Sequence, residues 1–86
     1  MHSSLFRDRV LEIVRNIPRG KMMTYKAVAT AAGNPGASRA VGAVMKTNFH
    51  PDIPCHRVIR SDGTPGEYNR GAAQKIVLLR EEGAIV

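Results

Sequence analysis

Apolar residues recur at helical spacing near the start of the chain, at Phe6, Val10, Ile13, Val14 and Ile17. Spacings of three and four residues place these side chains on one face of a helix, which we expect to be buried. Ser3 or Ser4 is suited to cap the start of this helix. Pro18 and Gly20 predict that it ends in a turn that continues to Lys21.

A second pair of helical segments follows this turn. Thr24 is suited to cap a short helix from Tyr25 to Ala32, and Gly33 can end that helix in the left-handed conformation. Asn34-Pro35-Gly36 predicts a turn, after which a third helix runs from Ala37 to Lys46. Two short helices joined by a tight glycine-containing turn are typical of a helix-turn-helix.

The predicted third helix is unusually rich in small residues, namely Ala37, Ser38, Ala40, Gly42 and Ala43. A glycine inside a helix costs about 1 kcal/mol relative to alanine, so Gly42 needs a reason. One interpretation is close packing against another helix, and the other is close approach to a nucleic-acid backbone. Arg39 is the only large polar residue of this helix before Lys46.

The remaining segments alternate between loops and one more helix. The two prolines of residues 47–54 predict a loop, and Val58 and Ile59 favour an extended segment over residues 55–60. A turn is predicted at residues 61–63. The last helix is expected over residues 72–82, with Ile76, Leu79 and Val77 buried and Gly83 at its end. Together these elements predict one mostly α domain with minor β over residues 1–86.

Charge restricts the classes of partner. Lys and Arg number 13 and Asp and Glu number 7, which gives a net charge of +6 on 86 residues. Such an excess favours a polyanion, with DNA and RNA as the leading candidates, although simple solubility is the alternative. No segment is basic and amphipathic enough to require a membrane.

Other features predict a cytoplasmic protein. One cysteine cannot form an internal disulfide, and it suits a reducing compartment. The first ten residues carry both charge signs without a long apolar run, so we expect no secretory leader. The longest apolar stretches are too short to cross a membrane.

The chemistry-bearing segment is Pro54-Cys55-His56-Arg57-Val58. A cysteine is nucleophilic as its thiolate, which a neighbouring base or positive charge favours. Neighbours in an extended segment point to opposite faces, so contact between Cys55 and His56 needs a bent backbone or a bridging water. Glu82 could orient the imidazole. The alternatives are a small buried Cys55 and a structural His56. One Cys and three His lack the spacing of a zinc motif.

This segment resembles the active-site motif of the O6-alkylguanine-DNA alkyltransferase family, and other segments extend the resemblance in the same order along the chain. They are Ile17-Pro18-Arg19-Gly20-Lys21 with Thr24-Tyr25, Gly33-Asn34-Pro35, Ser38-Arg39-Ala40-Val41-Gly42, Gly63-x-x-Gly66-x-Tyr68, and Lys75 with Leu78-Leu79-x-x-Glu82-Gly83. The resemblance is to the carboxy-terminal catalytic and DNA-binding domain alone, and it implies a winged-helix-like helix-turn-helix, an active-site loop and a carboxy-terminal helix.

The resemblance also implies a reaction. Cys55 would take the alkyl group of an extruded O6-alkylguanine irreversibly, with no cofactor, while His56 accepts the thiol proton through a water and Glu82 holds His56. Tyr25 would push on the neighbouring phosphate and donate a proton to the guanine. Asn48 would brace the site, although it lies seven residues before Cys55 where the family has an Asn eight before; its alternative is a helix-terminating residue.

Double-stranded DNA that contains O6-alkylguanine is the implied partner, bound through the minor groove by a monomer. Arg39 would fill the gap left by the extruded base, and the other implied DNA-binding residues are Tyr25, Asn34, Ala37, Ser38, Ala40, Gly42 and Ser61. The implied substrate pocket is lined by Met45, Val58, Tyr68 and Asn69.

Two other functions are compatible with these patterns. Alkyltransferase-like relatives bind alkylated guanine without reacting and flag it for excision repair, but they carry Trp or Ala in place of the nucleophile. Their short architecture is similar to this chain, whereas Cys55 favours the reactive class. The second alternative is an unrelated helix-turn-helix regulator, which would prefer a sequence over a lesion and would bind as a dimer.

Overall fold

The computed structural model describes residues 2–47, 52–64, 66 and 71–85, with only the backbone described for residues 2–4. The described elements are α1 (His2–Arg15), β1 (Met23–Thr24), α2 (Tyr25–Ala31), α3 (Ser38–Thr47), a 3-10 turn (Cys55–Arg57), β2 (Val58–Ile59) and α4 (Ala72–Glu81). The prediction of a mostly helical fold with minor β structure is confirmed.

Helix α1 supplies one wall of the core. Val10 and Val14 are fully buried, and Phe6 and Ile13 pack against the core from half-buried positions. Ile17 is buried just beyond the end of the helix. The prediction that a serine caps this helix is wrong. The helix already includes His2, so both serines lie inside its first turn.

The helix-turn-helix forms as predicted. The Thr24 hydroxyl accepts a hydrogen bond from the Ala27 amide at 3.0 Å, which satisfies one of the otherwise unpaired amides at the start of α2. Gly33 has a φ of 89°, the left-handed geometry that only glycine adopts without cost. The Ala37 amide then donates to the Asn34 carbonyl, and α3 begins at the next residue.

The segment after Pro54 corrects the extended prediction for residues 55–60. Residues Cys55–Arg57 form a 3-10 turn, in which the Arg57 amide donates to Pro54 and the Val58 amide donates to Cys55. Only Val58 and Ile59 are extended, and they pair in parallel with Met23 and Thr24. The β-branched pair therefore determined the strand but not the segment before it, where local hydrogen bonds produce the turn.

Helix α3 divides its small residues between the core and the surface. Val41, Gly42, Val44 and Met45 are buried, whereas Arg39, Ala40 and Ala43 are exposed. Gly42 is therefore covered by its surroundings, and the exposed alanines leave few projecting side chains on the outer face of α3 between Arg39 and Lys46.

Helix α4 buries a different face from the predicted one. Leu79 is buried and Ile76 is half-buried, but Val77 is 44% exposed, so its predicted burial is wrong. The fully buried position is Lys75, one helical turn before Leu79. Residues four apart share a helix face, so Lys75 and Leu79 are buried on the same side of α4.

No helix among the described residues is long and apolar enough to cross a membrane.

Candidate active site and nucleic-acid interface

Cys55 is the first residue of the 3-10 turn and is only 5% exposed. Its amide donates to the Ile53 carbonyl at 2.8 Å, and Ile53 is itself buried in the core. The turn bends the backbone between Cys55 and His56. A bent backbone and a bridging water were the two arrangements by which the imidazole of His56 could act on the Cys55 thiol. The cysteine is therefore held on a tightly bonded turn that a buried side chain anchors.

His56 meets Glu82 across 26 residues of sequence. Its Nε2 lies 2.9 Å from Oε2 of Glu82, and the two side chains are 12% and 8% exposed. The structure thus brings together the base and the orienting carboxylate that the sequence suggested. Both come from rigid positions, because His56 lies on the turn beside Cys55 and Glu82 caps the end of α4.

Arg57 completes this cluster, and the sequence reasoning assigned it no part. Its Nε donates to Oε1 of Glu82 at 2.8 Å and its Nη2 donates to Oε2 at 2.7 Å, a bidentate pair. Its Nη1 donates to the Ile17 carbonyl at 2.7 Å. Arg57 therefore ties the ends of α1 and α4 to the turn. Its side-chain direction depends on the 3-10 geometry, so the sequence carried no signal for it.

These contacts keep Glu82 ionised to a lower pH than an ordinary carboxyl. Hydrogen bonds from Arg57, and then from His56, outweigh burial and lower the pKa of the carboxyl from 4.5 to about 2. The same contact with Glu82 raises the pKa of Arg57 above its ordinary value. At neutral pH the pair is consequently an ionised carboxylate and a guanidinium.

An ionised Glu82 also determines the tautomer of a neutral His56. A carboxylate can only accept, so Nε2 must carry the hydrogen that bridges to Oε2. Nδ1 then keeps its lone pair and is the nitrogen able to take a proton. This arrangement of base and orienting carboxylate is the one that activates nucleophiles in general.

Tyr25 is approached by two residues from the carboxy-terminal half of the chain, Lys75 and Gly66. The fully buried Lys75 donates from Nζ to the Tyr25 hydroxyl at 3.3 Å, and Nζ lies 5.4 Å from the ring centroid. A Cβ at Gly66 would lie 2.6 Å from Cε2 of Tyr25 and 2.7 Å from its hydroxyl oxygen. The absence of a side chain at residue 66 therefore makes room for the tyrosine.

A groove of about 470 Å³ lies on the outer side of Tyr25, lined by Tyr25, Ser38, Arg39, Gly42, Ala43, Lys46 and Arg60. Four of these residues were predicted to bind DNA, whereas Ala43, Lys46 and Arg60 were not. Of the lining residues that the structure describes, three are basic and none is acidic. The groove therefore combines the smooth face of α3 with positive charge, which suits a polyanion.

The other predicted site residues lie in several environments. Asn34, Ala40 and Ser61 are exposed, and Ala37 is half-buried. Met45 and Val58 have no exposed surface and belong to the core, and neither lines the groove. Asn48, Tyr68 and Asn69 lie outside the described residues, so their predicted roles stay predictions. The described residues contain no group of three His, Cys, Asp or Glu side chains placed to hold a metal ion.

Residues 5–84 match the family model described as the 6-O-methylguanine DNA methyltransferase, DNA binding domain. The chain is 49% identical over 78 residues to the methylated-DNA--protein-cysteine methyltransferase of Methanothermobacter thermautotrophicus. This match covers 91% of the chain but 44% of the relative. The chain therefore spans less than half the length of that curated relative.

Two solved structures extend the comparison. The Mycobacterium tuberculosis protein OGT in complex with DNA superposes with a TM-score of 0.84 at 38% identity, covering 90% of this chain and 48% of that one. Atl1 of S. pombe, in complex with damaged DNA containing O6-carboxymethylguanine, gives a TM-score of 0.79 at 39% identity and covers 91% of this chain and 75% of that one. The chain belongs to the 6-O-methylguanine DNA methyltransferase family, through its DNA-binding domain.

Proposed function

We propose that this protein repairs DNA by transferring the alkyl group of O6-alkylguanine irreversibly to Cys55. The observation that carries the proposal is the cluster beside Cys55, in which ionised Glu82 orients His56 at 2.9 Å. A lone buried cysteine would not need this arrangement next to it. The match to the methyltransferase family supports the same reaction class.

In this reaction the thiol proton of Cys55 passes through a water to Nδ1 of His56, and the thiolate attacks the alkyl carbon. The bond between that carbon and guanine O6 breaks, and its electron pair stays on the guanine. The guanine takes up a proton, for which the Tyr25 hydroxyl is the donor. The thioether is not hydrolysed, so each molecule acts once.

Access to the alkyl carbon requires that the nucleotide leaves the base stack. The smooth outer face of α3 allows close approach to the minor groove, and Arg39 fills the space that the extruded base leaves. The basic groove beside Tyr25 supports this orientation of the DNA. We further propose that the protein acts as a cytoplasmic monomer.

The test is intact-protein mass spectrometry after incubation with a duplex that contains one O6-methylguanine. Transfer adds one methylene, about 14 Da, to the wild type and nothing to Cys55→Ser, because the methyl group bonds to the sulfur. Cys55→Ser should still bind the duplex, since the groove is unchanged. A mass gain that persists in Cys55→Ser would contradict the assignment, because the chain contains one cysteine.

A non-catalytic lesion sensor is the second candidate. The similarity to Atl1 favours it, because that protein was solved in complex with damaged DNA containing O6-carboxymethylguanine. The mass experiment separates the two functions. Tight, lesion-selective binding without a change in mass would assign the protein to the sensors. Insertion of one residue between Asn48 and Cys55 would then test whether the spacing of the predicted Asn48 brace limits reactivity.

A further inference from the structure

Arg60 is brought to the groove by strand pairing. In the parallel pair of β1 and β2, Thr24 lies opposite Ile59. The next residues of the two strands, Tyr25 and Arg60, therefore leave the sheet at the same edge. Both line the groove although they are 35 positions apart in sequence.

The backbone at Arg60 is fixed by a closed turn. The Arg60 amide donates to the Thr64 carbonyl at 3.0 Å, and the Gly63 amide donates to the Arg60 carbonyl at 3.0 Å. Asp62, the acidic residue inside this turn, accepts from the Thr64 amide at 3.0 Å and from its hydroxyl at 2.7 Å. The nearby carboxylate is thus engaged by its own turn, and it does not line the groove.

The composition of the groove indicates which ligand it can bind. Arg39 and Lys46 reach it from α3, and Arg60 reaches it from the end of β2. Three cations around a groove whose described lining residues include no carboxylate are suited to an anion, and the small residues of α3 let a bulky polymer approach closely. A DNA backbone phosphate meets both conditions.

We propose that Arg60 binds a DNA backbone phosphate directly beside the extruded nucleotide, with Lys46 as a second phosphate ligand in the same groove. This inference rests on the proposed function, because it assumes that the damaged nucleotide is extruded next to Tyr25. Arg60 thereby adds a phosphate contact from outside the helix-turn-helix. Because Arg60 directly follows β2, this contact connects the strand after the Cys55–Arg57 turn to the DNA backbone.

The first test measures the dissociation constant for a duplex with one O6-methylguanine as a function of salt, in a Cys55→Ser background that prevents turnover. Each phosphate contact contributes roughly 0.9 to the slope of log affinity against log salt. Arg60→Gln should lower the slope by about this amount, so that its affinity deficit shrinks roughly threefold between about 50 and 200 mM salt. Arg80→Gln, an exposed arginine of α4 outside the groove, is the matched control.

The second test locates the phosphate. A neutral methylphosphonate replaces one phosphate at a time on either side of the lesion, and Arg60→Gln is compared with the parent on each duplex. At one position the neutral linkage should remove most of the difference in dissociation constant between Arg60→Gln and the parent protein. An undiminished difference at every flanking position would overturn the proposal, as would an unchanged salt slope.

A failure of the Arg60 proposal can be distinguished from a failure of the proposed function. Methyl transfer is followed by mass in the protein with Cys55 intact, whereas phosphate coupling is a binding measurement that needs no transfer. If Arg60→Gln changes the salt slope and the methylphosphonate effect but no methyl group is transferred, the Arg60 contact is supported in a lesion sensor. If the methyl group is transferred but Arg60→Gln changes neither the salt slope nor the methylphosphonate effect, the alkyl acceptor is supported and the Arg60 contact is overturned.

Discussion

Glu82 is a carboxylate whose two oxygens accept hydrogen bonds from both His56 and Arg57. Arg57 holds the carboxylate in place and His56 uses the same Oε2 atom. Glu82, at the end of α4, therefore orients His56. It also holds Arg57, which donates to the Ile17 carbonyl and so attaches the end of α1. Stability and reactivity should respond together when Glu82 changes.

The depressed pKa of Glu82 predicts an acid-dependent loss of stability. Since the folded pKa lies near 2 and the ordinary value is 4.5, the contribution is complete above pH 4.5 and is lost as the pH falls towards 2. This difference corresponds to about 3 kcal/mol. Glu82→Gln should flatten the free energy of unfolding over that window, as measured by denaturant titrations at several pH values.

Glu81→Gln provides the matched control, because Glu81 is an exposed carboxylate next to Glu82 in sequence. It should keep the acid-dependent loss seen in the wild type. If Glu82→Gln kept the same loss as this control, the contacts with Arg57 and His56 would not be the source of the pH dependence.

Gly66 and Gly63 form a natural pair for testing the position of Tyr25. Both have φ values in the left-handed region, 74° and 87°, so alanine at either should cost roughly 1–2 kcal/mol in backbone strain. Only at Gly66 would the new Cβ also collide with the Tyr25 ring. Gly66→Ala should therefore destabilise the protein by about 1–3 kcal/mol more than Gly63→Ala.

Denaturant unfolding of both variants measures this difference, and the methyl-transfer rate reports its effect on function. Gly66→Ala should slow transfer, because a displaced ring loses its hydrogen bond from Lys75 and its place beside the groove. Equal unfolding free energies for the two variants would show that the ring moves aside without cost.

At the scale of elements, α3 carries two exposed long polar side chains, Arg39 near its start and Lys46 near its end. Between them the exposed residues Ala40 and Ala43 project little, so in the proposed complex this face lies close to DNA with Arg39 at the base stack. Helix α2 supports this geometry, because Thr24 caps it and Tyr25 begins it at the edge of the groove.

Arg39→Ala should slow methyl transfer from duplex DNA by at least tenfold, since the unfilled gap would cost on the order of 1.4 kcal/mol or more. It should leave reaction with a free alkylated guanine base nearly unchanged. Rates on the two substrates, followed by intact mass, measure the ratio. Equal losses on both would show that Arg39 does not act in base extrusion.

At the scale of the whole molecule, a net charge of +6 on 86 residues favours association with a polyanion such as the proposed DNA partner. Backbone binding is electrostatic and independent of sequence, which suits a protein that searches for rare lesions. The basic residues of the groove concentrate part of this charge where α3 and β2 meet.

Affinity for undamaged duplex should therefore fall by about tenfold or more between roughly 50 and 200 mM salt, which corresponds to about two or more phosphate contacts. Fluorescence anisotropy with a labelled duplex measures the slope, and a scrambled sequence of equal length is the control for sequence preference. Affinity that is insensitive to salt, or that follows sequence, would favour the helix-turn-helix regulator.

Local features of the chain determined much of this architecture. Apolar spacing predicted α1, and Thr24 and Gly33 predicted both ends of α2, because capping and left-handed turns depend on residues within a few positions of each other. The order of motifs identified the family and paired His56 with Glu82. The serine cap was wrong because α1 already includes His2, and the burial of Val77 was wrong because α4 turns Lys75 and Leu79 towards the core instead.

The other contacts between distant residues were decided by the tertiary structure. Arg57 reaches Glu82 and Ile17, the buried Lys75 bonds to Tyr25, and Arg60 lines the same groove as Tyr25, all across 25 to 50 positions of sequence. Such contacts follow from the parallel register of β1 and β2 and from the rotation of α4 about its axis. No local pattern encodes either quantity, because both result from packing the finished elements against one core.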